Sequence, residues 1–275
     1  MSLEQIHYTT FKQGSRTYFN SSLFFPKAVR RDVFALYGFV RVADNFVDSV
    51  PQDPDGFHRF KEAYRKAREN GKIGDPIIDA FIELDRRKGF DPVWTEAFLH
   101  SMELDLKKKE YNRLEETLEY IYGSAEVIGL YMAKLLDLVP DSYPHAERLG
   151  RSMQYINFIR DIDEDRTLGR RYLPLADTPL KSLDREYVQS HPGEFNEFLR
   201  HHLDMYRTWQ REAEAGFRFI PRRYLIPIKT ASDMYNWTAR TIEAEPMVVF
   251  RKKIKPSKLR IWGTVLANLL GLGPR

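Results

Sequence analysis

Apolar residues recur at helical spacing along nearly the whole chain, and no run of alternating apolar and polar positions reads as a strand. The pattern predicts helices over residues 27–49, 56–69, 76–88, 91–109, 114–138, 143–167, 194–217 and 225–245, with a shorter amphipathic segment over 259–270. Pro26 stands where a first-turn proline belongs, and Asp91 with Pro92 marks another helix start. Gly169, Pro174 and Pro179 interrupt the periodicity and predict a loop. The expected fold is all-α: one compact orthogonal bundle, a single domain over residues 1–275.

Two of these helices are apolar on most sides yet carry one polar stripe. In the first, Phe34, Leu36, Phe39, Val40, Ala43 and Val47 surround Tyr37, Arg41, Asp44 and Asp48, which follow at steps of four, three and four. In the second, Tyr155, Ile156, Phe158, Ile159 and Ile162 surround Gln154, Asn157, Asp161 and Asp165, at steps of three, four and four. Such steps gather side chains on one helix face. A carboxylate on a buried face is costly unless it is paired, hydrogen-bonded or bound to a cation. Within each pair the acids lie one turn apart, roughly 6 Å along the axis at about 1.5 Å per residue. Mg²⁺ takes one or two carboxylates per ion and completes its shell with water and phosphate oxygens. Two such helices facing each other would hold a diphosphate through several Mg²⁺ ions, with Arg41 and Arg160 as direct phosphate contacts. The alternative is that the acids form ordinary ion pairs with Arg41, Arg160 and Arg166. A calcium loop starting at Asp161 fails, because its sixth and twelfth positions are Arg166 and Tyr172 rather than glycine and glutamate.

Composition narrows the class. With 43% hydrophobic and 30% charged residues among 275, a sizeable core forms without a membrane bundle, and the absence of cysteine removes disulfides, thiolate nucleophiles and zinc–thiolate sites. The net charge of +4 is not gathered into one block. The basic runs at 107–109 and 251–255 read as solvated helix faces, so no nucleic-acid partner is expected. The polar start of the chain and the lack of a long apolar run predict a cytoplasmic protein. The 259–270 segment carries Leu259, Ile261, Trp262, Val265, Leu266, Leu269 and Leu270, preceded by Lys252, Lys253, Lys255 and Lys258. It either packs on the body or makes transient contact with a membrane surface.

From about residue 14 to 255 the chain resembles the squalene/phytoene synthase family. Asp44-Asn-Phe-Val-Asp48 matches the family's DxxxD, and Asn157-Phe-Ile-Arg160-Asp161-Ile-Asp-Glu164-Asp165 its NxxRDxxED. Gly169-Arg170-Arg171-Tyr172-Leu173-Pro174 is similar to GRxYLP, and Tyr120-Ile-Tyr122-Gly-Ser-Ala125-Glu126-Val-Ile-Gly129 to YxYxxAGxxG. Glu126 departs from that last pattern, placing a carboxyl where many members carry glycine; an ion pair and a catalytic role are both open. The resemblance implies an isoprenoid-synthase fold whose cavity takes two prenyl diphosphates. It implies Asp44, Asp48, Asp161 and Asp165 as catalytic metal ligands for Mg²⁺, and Tyr37 and Arg41 as catalytic neighbours. Ser15, Arg16, Gln154, Asn157, Arg160 and, in a looser alignment, Tyr235 fall at substrate-binding positions. The wording of the motifs is nearest to prokaryotic phytoene synthases: two geranylgeranyl diphosphates joined head to head through a cyclopropyl diphosphate, with NADPH not expected. Ser22, small and near the presumed pocket entrance, is consistent with the longer chain. The alternatives are a squalene or dehydrosqualene synthase using farnesyl diphosphate, a head-to-tail synthase or cyclase, and a non-catalytic assembly protein of the same fold.

Overall fold

Three of the early helices start the same way. Asp53, Asp75 and Asp91 each precede a proline, and each carboxylate accepts hydrogen bonds from backbone N–H groups of the first turn. The cap satisfies donors that the turn cannot, and the proline presets the backbone angle. The protein is described here by a computed structural model covering residues 25–271. In chain order the helices are α1 (Lys27–Asp48), α2 (Pro54–Asn70), α3 (Pro76–Lys88), α4 (Pro92–Lys107), α5 (Leu114–Ile121), α6 (Val127–Leu135), α7 (Tyr143–Arg160), α8 (Ile162–Thr167), α9 (Arg185–Ser190), α10 (Pro192–Glu214), α11 (Arg222–Ala244) and α12 (Lys258–Leu269). Among the described residues there is no strand, only an isolated bridge between Glu110 and Arg171.

The predicted helices are present, with two informative breaks. The expected 114–138 helix is split by a π-helical turn, Tyr122–Glu126, between α5 and α6. The expected 143–167 helix is split at Asp161, whose φ of −100° and ψ of 18° separate α7 from α8. The short α9 lies in what the sequence reads as loop.

Two apolar clusters make the core. One gathers α1 to α4 and α6 around Phe39, Phe57, Tyr64, Phe81 and Phe98; the other gathers α5, α7, α10 and α11 around Tyr155, Ile159, Phe195, Phe198 and Tyr206. Between them lies an apolar cavity of about 300 Å³, walled by residues of both clusters such as Leu36 and Met153. Glycines bring the π-turn against its neighbours. A Cβ on Gly123 would stand 2.1 Å from the backbone oxygen of Ala97 in α4, and one on Gly150 of α7 would stand 2.2 Å from that of Ala125. Side chains cannot fill those gaps, so α4, the π-turn and α7 touch backbone to backbone.

Candidate active site

The cavity changes character along two of its helices. On α1 it is lined by Val33, Leu36, Tyr37 and Val40, and on α7 by Leu149, Gly150, Met153, Gln154 and Asn157. Past this lining α1 carries Arg41, Asp44 and Asp48, and α7 ends in Arg160, with Asp161 at the break and Asp165 on α8. The apolar chamber therefore runs toward a charged end reached along both helices in the same direction. Tyr37, Gln154 and Asn157 stand at the changeover.

On α1, Arg41 donates to Asp44 Oδ2 at 2.5 Å. Asp44 is half-buried beside Asp48; desolvation first, and then the Asp48 charge, push its carboxyl up to about 7 against the pull of Arg41. Burial also pushes the Tyr37 hydroxyl up to about 12. At the end of α7, Arg160 grips Asp161 in a two-pronged contact, Nε to Oδ1 at 2.8 Å and Nη2 to Oδ2 at 2.5 Å. Adjacent residues in a regular helix do not face each other; the break at Asp161 permits the grip. Asp165 lies on α8 with its carboxyl shifted well up, by burial and then by the neighbouring Asp161. It lines a second recess, about 340 Å³, under the loop after α8, instead of the apolar cavity. The buried Tyr235 of α11 lies within electrostatic reach of Arg160. Ser15, Arg16 and Ser22 lie outside the described residues. The arginine ion pairs that formed the alternative sequence reading thus exist at Asp44 and Asp161, while Arg166 pairs instead with Asp163 and Asp184.

Three features bear on a cation. In each pair one carboxyl is pushed up, Asp44 and Asp165, by burial first and then by the charge of its neighbour, Asp48 or Asp161, so negative charge is crowded at both places. Asn157 Oδ1 is buried without a hydrogen-bond partner on the wall between the chamber and the acids. No group of three acids or histidines is gathered closely enough to enclose an ion among the described residues. Paired acids with an orphaned oxygen and no closed cage fit Mg²⁺ held partly by phosphate oxygens, and do not fit a structural zinc or calcium site.

Two residues escaped sequence reasoning. Arg170, in the loop after α8, is buried; it donates to Asp48 Oδ1 at 2.9 Å and to the Val47 carbonyl at 2.6 Å. It ties the end of α1 to the loop that follows the second acid pair. Asp105 of α4 is 1% exposed and accepts the hydroxyls of Tyr120 and Tyr172, each at 2.6 Å. Arg170 and Tyr172 fall in the GRxYLP-like stretch, which was a usable signal; Asp105 stands among the ordinary surface charges of α4 and gave none.

Glu126 has a partner. Its carboxylate accepts from Arg151 Nε at 2.6 Å and Nη2 at 3.1 Å, and Arg151 also lies over the Trp209 ring. Ser124 and Ala125 line the cavity and Glu126 does not. The geometry is that of a structural ion pair bracing the π-turn against α7. Glu126→Gln is expected to cost about 3 kcal/mol, because it leaves a mostly buried guanidinium without its counter-ion. Urea unfolding measures this; Glu126→Gln with Arg151→Met should recover most of the loss.

The family described as squalene/phytoene synthase matches residues 11–260. A 15-cis-phytoene synthase of Enterobacter agglomerans is 28% identical over 236 residues, covering 81% of this chain and 80% of that protein. One from a Paracoccus species is 27% identical over 285 residues, covering 95% and 87%. Among solved structures, a dehydrosqualene synthase in complex with ligand superposes with a TM-score of 0.83 at 19% identity, covering 98% of this chain and 97% of its own. A squalene synthase from Alicyclobacillus acidocaldarius gives 0.78 at 18%, covering 88% and 95%. At such identities the structural likeness speaks for the all-α isoprenoid-synthase fold.

Proposed function

The chain belongs to the squalene/phytoene synthase family of prenyl-transferring enzymes, and on that premise we propose that it joins two geranylgeranyl diphosphates head to head to give phytoene. The observation that carries the reading is the apolar chamber whose walls, α1 and α7, both lead into an acid pair with an arginine beside it. A molecule that is hydrocarbon at one end and diphosphate at the other matches that change of character. The choice of the C20 substrate rests on relatives that bear the name phytoene synthase.

Asp44, Asp48, Asp161 and Asp165 would hold Mg²⁺, and Asn157 Oδ1 offers a neutral oxygen of the same kind. When bound, the ions neutralise the leaving diphosphate so that an allylic carbon can ionise. Arg41 and Arg160, each now held by an acid, supply donors to phosphate oxygens. Val33, Leu36, Val40 and Met153 keep water from the carbocations while the second substrate's double bond attacks and loss of a proton from its C1 closes the cyclopropyl diphosphate. A second ionisation and rearrangement form the 1-1′ link. Loss of a second proton, which released diphosphate can accept, ends the reaction without NADPH. The whole chain is read as one catalytic domain.

Incubating the protein with Mg²⁺ and either farnesyl or geranylgeranyl diphosphate, with and without NADPH, tests the substrate and cofactor. The expected product is a C40 hydrocarbon at a rate that NADPH leaves unchanged. Squalene formed only with NADPH would overturn both choices.

A membrane surface is the proposed destination of the hydrocarbon. No helix among the described residues is long and apolar enough to cross a membrane. The face of α12, however, divides. Ile261 and Val265 are buried against the body, while Leu259 is 84% exposed and Trp262, Leu266, Leu269 and Leu270 are exposed beside it. One face of the helix packs on the body, and the other leaves apolar side chains open to solvent. With Lys252, Lys253 and Lys255 before it and Lys258 at its start, the outer face suits an anionic interface. Leu259→Ser with Trp262→Ser and Leu266→Ser is expected to reduce co-sedimentation with anionic vesicles about tenfold; equal binding would reject this surface.

A further inference from the structure

Arg170 is a buried cation surrounded by acids from three elements. Asp48 at the end of α1 takes its hydrogen bond, and the charges of Asp105 on α4 and Asp165 on α8 both feel its guanidinium. Only Asp48 among these is within ion-pairing distance. Asp48 is also one of the acids assigned above to the metal–diphosphate. If it turns to a bound cation, Arg170 loses its direct counter-ion while remaining buried. A buried guanidinium without an anion is strongly unfavourable, so it would leave its place and release the Val47 carbonyl with it.

Asp105 is built to prevent this. It lines neither the apolar cavity nor the second recess. Both of its oxygens are engaged, by Tyr120 and Tyr172. Arg170 Nη1 is 3.4 Å from the Tyr172 hydroxyl, so Tyr172 is the physical link between the two charges. The Tyr172 ring stacks on Phe158 of α7, centroids 4.3 Å apart and planes 4° from parallel. Its carbonyl accepts from Thr117 of α5 at 2.8 Å. Gln52 adds a second tie by donating to the Val47 carbonyl at 2.7 Å and to the Asp105 carbonyl at 3.0 Å. The chain Asp105–Tyr172–Arg170–Asp48 thus runs from α4 to the first acid pair, and Tyr172 anchors it to α7, the helix that leads into the second.

We infer that Asp105 is a positioning residue that, through Tyr172, holds Arg170 between the two acid pairs when Asp48 turns from Arg170 to the metal–diphosphate. The inference rests on the proposed placement of the diphosphate at those acids. Asp105 touches no reacting group; it sets the spacing of groups that do. A carboxylate is needed there rather than a neutral acceptor, because its charge must balance Arg170 after Asp48 has been recruited.

The test uses the full-length chain, with Asp105→Asn, Tyr172→Phe and the double variant. Binding of Mn²⁺ in the presence of inorganic diphosphate is read by electron paramagnetic resonance, and turnover is followed on prenyl diphosphate. Asp105→Asn is expected to unfold thermally at or above the wild-type temperature in metal-free buffer, since it removes a buried charge. It should weaken Mn²⁺–diphosphate binding about tenfold and lower kcat by a similar factor, the usual range for residues that orient metal ligands. KM for the prenyl substrate at saturating Mg²⁺ should move less than about threefold, because the chamber is untouched. Tyr172→Phe should fall in the same direction, and it carries the test if Asp105→Asn does not fold. The double variant should be no worse than Asp105→Asn within about twofold, because the two act through one chain of contacts. Wild-type Mn²⁺ binding in Asp105→Asn, or losses that multiply in the double variant, would overturn the inference alone. Failure of the wild type to bind Mn²⁺ with diphosphate would overturn the placement of the diphosphate and this inference with it.

Discussion

Asp44→Asn and Asp161→Asn should each reduce turnover by at least about a thousandfold while leaving helix content and cooperative unfolding intact. Both acids stand at the charged end of the chamber, each presently held by an arginine that a diphosphate would claim. Substituting the amide keeps the shape and removes the charge that a hard cation requires. Stability should move the other way. The folded state holds the Asp44 proton up to about pH 7, whereas an exposed carboxyl loses it near pH 4. Between those values the native state binds more protons than the unfolded one, so metal-free wild type gains stability as pH falls through about 7. Asp44→Asn removes that part of the slope and should unfold no lower than wild type at pH 8. Thermal melts in chelator at pH 8 and pH 5 measure this, and product assays of the same samples measure the loss. Full activity in either variant would contradict the assignment of the acids.

Gly150→Ala should be among the most destabilising single substitutions, costing about 3 kcal/mol. The new Cβ would stand 2.2 Å from the Ala125 oxygen and 3.0 Å from the Glu126 Cα. The atoms it meets are backbone and cannot swing aside. Relief requires α7 to move off the π-turn, which opens the wall of the chamber between Gly150 and Ala125, so activity should fall with stability. Gly263 of α12 supplies the control: nothing lies within 4 Å of its added Cβ. Gly263→Ala should stabilise by about 0.5–1 kcal/mol through the lost freedom of the unfolded chain. Urea unfolding of both variants gives the comparison, and equal effects would mean that the close approach of α7 to the π-turn is not what holds this wall.

Helical periodicity revealed the α-helices because apolar stripes are local, and the acid pairs were legible for the same reason: a charge repeated at one-turn spacing on an apolar helix violates the pattern around it. What stayed hidden was long-range or too small to alter the pattern. The π-turn at Tyr122–Glu126 adds one residue to a turn and leaves the apolar run continuous. The break at Asp161 adds none, yet it turns Asp165 away from the chamber wall where Gln154 and Asn157 lie. The bond from Arg170 to Asp48 joins residues 122 positions apart. Asp105 looks like one more charge beside Glu103 and Lys107; only the packing of Tyr120 and Tyr172 onto it distinguishes it from a solvated acid. Glu126 was visible as an anomaly, but its partner Arg151 became evident only when α7 was placed against the π-turn.

In the proposed reaction two diphosphates meet at the paired acids and both are expelled for each hydrocarbon made. Counting inorganic diphosphate against radiolabelled hydrocarbon, in one Mg²⁺-containing reaction with geranylgeranyl diphosphate, tests it most directly. Two diphosphates released per C40 molecule, and neither product in chelator, are expected. One diphosphate released per condensation, with a product that keeps its own, would mean head-to-tail chemistry; one per C20 product would mean cyclisation. Either result would contradict head-to-head joining at the paired acids.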